Sequence, residues 1–385
     1  MSRLVDILIC HLGWTKTNMT HSWRERWVRG RNRWLSDPAF QRFSWKVPIF
    51  RSIARRRSKA IFDLVAGFTY SQLLHAGVRL GVFDRLKERP YSAQEIAMAT
   101  ELPENSAAQL LKGLAALGLT ESLGDGRYAL GQHGAAMVAN PGIIAMIEHH
   151  DLLYADLADP VALLRHRGGG QLSGYWPYAE GKAGDVAPYS RLMAASQPMV
   201  AQTILDAVDL RHVRALLDVG GGEGAFLEAA GARYTNLELM LFDIPDVAER
   251  ARARLGPRLT ACGGRFPDDP LPVGADAVSL VRILHDHDDA KVMALLRRVA
   301  ECLPPGGMVI VAEPMAGTDG AEAMGDAYFG LYLLAMGSGR PRTPLEIMAM
   351  LRAAGFGQVQ QLRTENPYSA QIVSGRLVAK SVHSS

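Results

Sequence analysis

Ala215-Leu216-Leu217-Asp218-Val219-Gly220-Gly221-Gly222-Glu223-Gly224 is the stretch on which the fold turns. Its first five residues, apolar but for Asp218, have the length and composition of a buried strand, and the glycines that follow make a tight turn. Ala225 to Ala230 then has the pattern of a starting helix. Strand, glycine turn and helix together let backbone N–H groups and a helix N-terminus meet a ligand at close range.

Outward from this loop the pattern repeats. Leu237 to Phe242 is a second strand ending in Asp243, placed where a carboxylate can accept both ribose hydroxyls of an adenosine. The loop alone serves nicotinamide, flavin and S-adenosylmethionine enzymes alike, but coupled to Asp243 it points to an adenosine-type cofactor. Leu280-Val281-Arg282-Ile283-Leu284-His285-Asp286 sets a His-Asp pair at the carboxyl end of a fourth strand. Leu303-Pro304-Pro305-Gly306-Gly307 turns into a strand from Met308 to Ala312 that ends in Glu313-Pro314. From about 203 onward, short apolar strands alternate with amphipathic helices, the pattern of an open, mostly parallel α/β sheet.

Residues 60–202 read as mainly helical. Ser92-Ala93-Gln94-Glu95 has the spacing of a capping box, so a helix starts there. Pro103 and Glu104 suit the first turn of another, with Leu110, Leu111, Leu114 and Leu117 at helical spacing and Gly118 at its end. Leu119–Leu123 and Arg127–Leu130 flank Gly124-Asp125-Gly126, a hairpin signal. Helix, turn, helix, hairpin is a winged-helix arrangement. Its second helix carries Lys112 as its one basic residue, too few donors for a phosphate backbone. A dimerisation role is expected, and no nucleic acid.

Apolar residues make up 48% of the 385 and charged residues 21%, a globular balance that excludes a disordered chain. The net charge of +3 hides an uneven distribution. Between Ser22 and Lys59 stand twelve Lys/Arg against Glu25 and Asp37, with Trp23, Trp27, Trp34 and Trp45 among them. Residues 1–59 thus form a basic, tryptophan-rich extension, including Trp14, for which the readings are packing on a dimer partner or contact with a membrane surface. Cys10, Cys262 and Cys302 lie far apart, which excludes a disulfide framework and fits a reducing cytoplasm. The most apolar long stretch, Ile61 to Phe83, is broken by Asp63, His75 and Arg79, so no bilayer span is expected. The first fourteen residues, interrupted by Asp6, read as a leader without structure and not as a signal peptide.

The pieces LLDVGGGEG, FDIPDV, RILHD, LPPGG and RTPLEIMAMLRAAGF, in this order, resemble the plant-type class I S-adenosylmethionine-dependent O-methyltransferases. The likeness runs from about Ile61 to the end. It implies a Rossmann-like methyltransferase domain at 203–385 behind a winged-helix dimerisation domain at 60–202, and a homodimer. Ile53-Ala54-Arg55-Arg56-Arg57, leading into Leu64-Val65-Ala66-Gly67-Phe68 and Tyr70-Ser71-Gln72, is most similar to the branch that methylates acyclic carotenoids (demethylspheroidene, hydroxyneurosporene). The acceptor implied is a tertiary 1-hydroxyl of such a carotenoid, and the location is the cytoplasm or the surface of the inner or intracytoplasmic membrane. The closest rival keeps the reaction and takes a phenolic polyketide or a tetrapyrrole. A winged-helix regulator and a nicotinamide oxidoreductase are the rivals from other classes.

The resemblance assigns the S-adenosylmethionine site, and its product S-adenosylhomocysteine, to Asp218, Gly220, Gly222, Gly224 and Asp243, with Arg282 as a further cofactor contact. Where the family usually has an acid beside the adenine, this chain has Gly263-Gly264-Arg265-Phe266; Gly264, Arg265 and Phe266 are the candidates there. His285 is the expected catalytic base, because an aliphatic alcohol cannot ionise unaided at neutral pH and neutral imidazole suits that task. Glu313 is expected to steady its ring. A sulfonium already carries its leaving group, so no metal is expected. Asp286, His287, Asp288 and Asp289 read as the solvated start of a helix. Tyr189, Met193, Gln197, Met315, Phe329 and Met336 are the candidate walls of a hydrophobic acceptor pocket.

Overall fold

The computed structural model describes residues 21–175 and 187–379, with side chains described for 23–174 and 196–379. The expected leader lies outside the described residues.

Three helices open the described chain, His21–Ser36, Pro38–Lys46 and Pro48–Arg79. Prolines begin the second and third, where their fixed φ suits the first turn and the missing N–H costs nothing. Asp37 caps the second through the backbone N–H of Ala39. The third runs for 32 residues and crosses the boundary expected at 59/60. The boundary expected at 202/203 likewise falls inside a helix, Ala187–Ala207.

The winged unit forms as its signals require. Ser92 and Glu95 make the reciprocal capping box of Ala93–Thr100. The next helix is Glu104–Ala116. Strands β1 (Tyr91–Ser92), β2 (Thr120–Ser122) and β3 (Arg127–Leu130) build a three-stranded antiparallel sheet in the order β1-β3-β2. Val82, Ile96, Leu111 and Leu114, all fully buried, centre its core.

The second sheet has seven strands: β4 (Ala215–Val219), β5 (Glu238–Asp243), β6 (Leu259–Gly263), β7 (Ala277–Val281), β8 (Met308–Glu313), β9 (Phe356–Leu362) and β10 (Gln371–Leu377). Their order is β6-β5-β4-β7-β8-β10-β9. β4 to β8 are parallel, and β10 is antiparallel to both its neighbours. Helices cover both faces, which is why β4, β7 and β8 are buried along their whole length. Alternate residues feed two cores: Leu216, Phe226 and Ile310 on one face, Leu217, Leu280 and Val311 on the other. After β6 the chain returns across the sheet to lay β7 beside β4. That reversal opens a crevice at the strands' carboxyl ends, the usual ligand position in such sheets.

Candidate active site

The glycine loop leaves β4 at this crevice. Asp218, fully buried, accepts a hydrogen bond on Oδ1 from the Ser279 hydroxyl of β7 at 2.6 Å. Its Oδ2 is buried without a partner, and burial pushes the carboxyl up to about 7. A Cβ at Gly221 would lie 2.5 Å from that same oxygen. Gly222 has φ +58° with open space where a side chain would stand; it is a cradle that only glycine leaves empty. Its N–H donates to Asp243 Oδ2 at 2.8 Å, and the N–H of Ile244 donates to Oδ1 at 2.7 Å. Burial holds Asp243 up at about 6, against those two N–H groups, which favour the charged form. Gly220, Gly222, Gly224 and Asp243 thus form one connected wall of the crevice.

The segment after β6 contributes less than expected. Gly264 is required by packing, since a Cβ would stand 2.6 Å from the Phe242 ring. The Arg265 side chain is exposed, its backbone N–H bonded to Asp269. Phe266 lies edge-on to His287 at 5.3 Å between centroids, with Lys291 Nζ 5.4 Å from its ring centroid. Arg282 has φ +60° and is half-buried, its guanidinium donating to the Ser196 hydroxyl at 2.6 Å. It ties the end of β7 to the helix that also carries Gln197, whose Oε1 is buried without a partner.

His285 sits in a 3₁₀ turn, Leu284–Asp286, directly beyond β7. It is buried, its Nε2 lies 3.4 Å from Asp286 Oδ1, and its Nδ1 has no partner. Burial first, then the charges of Arg282, His287 and Arg342, lower its pKa to about 3, so the ring is neutral at physiological pH. Asp286 is raised well above the carboxylate range by burial and by Glu313; burial lifts Glu313 to about 7.

Two expectations change here. Glu313 does not bond the imidazole: its Oε2 accepts the backbone N–H of His285 at 3.0 Å, and its Oε1 has no partner. As the last residue of β8 it ends beneath the turn, and the carboxyl nearest the ring is that of Asp286. Asp286 and His287 are not solvated either; both are buried, and only Asp288 and Asp289 face water.

What buries the turn lies 50 residues on and escaped the sequence reading. Arg342 has no exposed surface. It donates to the carbonyls of Leu284 and His287, each at 2.7 Å, and to Asp289 Oδ1 at 2.6 and 2.9 Å. The Arg340 N–H donates to the His285 carbonyl at 2.8 Å and the Ser338 hydroxyl to that of Asp286 at 2.9 Å. A Cβ on Gly339, at φ +74°, would overlap the His285 carbonyl oxygen. Residues 338–342 therefore satisfy all four carbonyls from Leu284 to His287. Arginine beside the capping box of Thr343 and Glu346 was the available signal.

Among the pocket candidates, Phe329 lies 6.0 Å from His285, centroid to centroid. It packs against Tyr328 and Tyr332, whose hydroxyls meet His150 and His149 at 2.7 and 2.9 Å. These four residues were also missed, although His149-His150 and Tyr328-Phe329-x-x-Tyr332 are visible patterns. Met315 and Met336 pack inside apolar clusters instead. The side chains of Tyr189 and Met193 lie outside the described residues. Among the described residues, no group of three or more His, Cys, Asp or Glu could hold a metal ion.

A glycine cradle after β4, the buried carboxylate of Asp243 at the end of β5 and a neutral buried imidazole beyond β7 are the arrangement of an S-adenosylmethionine-dependent O-methyltransferase, and the chain belongs to that family. Residues 154–357 match its O-methyltransferase domain and residues 62–140 its dimerisation domain. The chain is 47% identical to a demethylspheroidene O-methyltransferase of Cereibacter sphaeroides, over 87% of this chain and 91% of that one. It is 43% identical to the enzyme so named from Rhodobacter capsulatus, over 85% and 84%. The S-adenosylhomocysteine-bound structure of CalO1, a methyltransferase in calicheamicin biosynthesis, superposes with a TM-score of 0.71 at 25% identity, over 84% of this chain and 98% of that one.

Proposed function

We propose that the protein methylates the tertiary 1-hydroxyl of an acyclic carotenoid, demethylspheroidene or hydroxyneurosporene, during carotenoid biosynthesis, as a homodimer, with His285 as general base. The observation that carries the mechanism is the buried, neutral imidazole with an unpartnered ring nitrogen. The acceptor follows from the two relatives above 40% identity.

S-adenosylmethionine, when bound, supplies a methyl group already activated on a sulfonium. Asp243 would hold its ribose, the glycine loop and the free Oδ2 of Asp218 its cationic methionine end, and Arg282 with Ser196 would close that end of the crevice. No bond to a metal enters the steps assigned to this chain. His285 accepts the hydroxyl proton as the new C–O bond forms, and the imidazolium so made lies beside Asp286. Phe329 offers an apolar wall that orients the acceptor and keeps water from the methyl group. Exposed Ile61, Phe62, Leu64, Val65 and Phe68, at the start of the matched dimerisation domain, are an apolar face for a second copy to cover. Since the acceptor dissolves in lipid, we place the enzyme in the cytoplasm, peripheral on the inner or intracytoplasmic membrane through residues 22–59.

The test is His285→Ala with labelled S-adenosylmethionine and a solubilised hydroxycarotenoid in single turnover. Loss of a general base costs about 10²–10⁴-fold, and a tertiary alcohol falls at the severe end because it cannot ionise unaided. S-adenosylhomocysteine affinity stays unchanged. Wild-type turnover in the variant would remove His285 from the role; turnover only on phenols would replace the acceptor.

A further inference from the structure

Helix His21–Ser36 lies outside both matched family domains. At 100° per residue, Trp23, Trp27 and Trp34 fall on one stripe within about 40° of arc. All three are exposed, at 53%, 41% and 67%. Arg24 and Arg31 flank the stripe on one side, Arg26 and Arg33 on the other, at about 60–100° from it. Arg26 and Arg31 stand over the rings of Trp23 and Trp27 at 4.9 and 5.0 Å. The half-buried positions of the helix, Val28 and Leu35, project about 100° away from the tryptophans, so the stripe lies to one side of the face that packs and is not covered by it.

We propose that this stripe is a docking surface for an anionic lipid bilayer: the helix lies in the headgroup plane, its indoles at the acyl boundary and its arginines on lipid phosphates. The proposal rests on the membrane placement above and names the element that makes it. Indole is favoured at that depth because its ring is apolar and its N–H is not. Arginine pairs with phosphate through a planar fork, and its aliphatic stem can lie along an indole while the charge stays in water. Charge complementarity selects the occupant. Twelve Lys/Arg against two acids between 22 and 59 repel the same segment of a second copy and attract phosphatidylglycerol. Among the described residues no helix is long and apolar enough to cross a membrane, so the contact is parallel to the surface. Lys46, Arg51 and the Arg55-Arg56-Arg57 run extend the basic surface through the next two helices.

The test uses the full chain without acceptor or cofactor, so that its result is independent of the carotenoid reading. Vesicles of phosphatidylcholine with phosphatidylglycerol are compared with phosphatidylcholine alone by co-sedimentation, and indole emission is followed. The intact protein binds the anionic vesicles, its emission moves to the blue, and raised salt releases it. Arg24→Gln/Arg31→Gln/Arg33→Gln lowers the partition coefficient about 100-fold, at about fivefold per charge. Trp23→Ala/Trp27→Ala/Trp34→Ala abolishes the blue shift and leaves S-adenosylhomocysteine affinity unchanged. Equal sedimentation of wild type and both variants overturns the proposal. So does a change of oligomeric state in the tryptophan variant on gel filtration, which would assign the stripe to the partner copy. Vesicle binding without carotenoid methylation would leave this surface standing and the acceptor assignment fallen.

Discussion

Arg342→Met offers a sharp test of how the turn that carries His285 is held. The substitution keeps an unbranched apolar stem of similar length and removes all the guanidinium's hydrogen bonds. Of the acceptors left behind, the buried carbonyl of Leu284 keeps the His287 N–H at 3.2 Å, whereas that of His287 loses its guanidinium donor, and an unsatisfied buried group costs about 1–3 kcal/mol. The third, Asp289, is 56% exposed and keeps Arg340, so its loss adds little. The variant is therefore destabilised by about 1–3 kcal/mol, read as a lower urea midpoint at unchanged slope. The kinetic effect is separable from this. The turn that carries His285 loses two of its four fixed carbonyls, and displacement of a reacting group by about 1 Å costs on the order of 100-fold. We expect kcat to fall by about that factor while S-adenosylhomocysteine affinity and acceptor KM stay within about twofold. Removing the positive charge also lets the pKa of His285 rise from about 3, so the acid limb of the rate profile moves toward neutrality. Arg342→Lys, which can still reach one carbonyl, restores part of kcat and most of the stability. A folded Arg342→Met enzyme with wild-type kcat and an unmoved acid limb would refute the reasoning.

Three further outcomes are expected. Asp218 stands at about 7, so if its free oxygen meets the cationic end of the cofactor as proposed, binding S-adenosylmethionine at pH 7 releases about half a proton; calorimetry in buffers of different ionisation enthalpy measures it, and zero release would remove the contact. Asp243→Asn, keeping one carboxamide oxygen for two backbone donors, weakens S-adenosylhomocysteine binding by about ten- to a hundredfold, charged hydrogen bonds contributing roughly 1.5–3 kcal/mol. Gly339→Ala, at positive φ against the His285 carbonyl, lowers kcat without moving cofactor affinity, and an active variant would show that the turn tolerates displacement.

How far the chain could be read without coordinates depended on how local each device is. The loop from Gly220 to Gly224, Asp243, and the capping box at Ser92 and Glu95 were legible because each is written in a few adjacent residues with a fixed backbone requirement. Strands β4, β7 and β8 were legible because burial on both faces leaves them almost wholly apolar, whereas β9 and β10, rich in Gln, Ser and Gly, were not. The surroundings of His285 were not. Asp286 and His287 sit among charges that normally mark a wet helix start, and they are dry because residues 338–342 fold over the turn and the Phe266 ring packs on His287. Glu313 was placed in the right shell with the wrong partner, since sequence gives the strand end but not which atom lies above it. Met315 and Met336 differ from a pocket wall only in which neighbour they face, which helical spacing does not encode. The tyrosines at 328 and 332 meet histidines 178 and 183 positions earlier, a pairing that no window along the chain contains.

The clasp on the catalytic turn also bears on when the protein becomes an enzyme during its own synthesis. Leu284 leaves the ribosome 58 residues before Arg342, so a nascent chain can carry His285 for several seconds, at about 5–20 residues per second, without being able to hold it in place. The sheet imposes the same delay. β10, the final strand, inserts between β8 and β9, so β9 has no neighbour to pair with until the strand after it emerges. Cofactor crevice and base are thus encoded early, whereas their rigidity arrives with the C-terminal segment. A chain halted short of Arg342 holds the glycine loop, Asp243 and His285, but none of the guanidinium bonds that fix the turn.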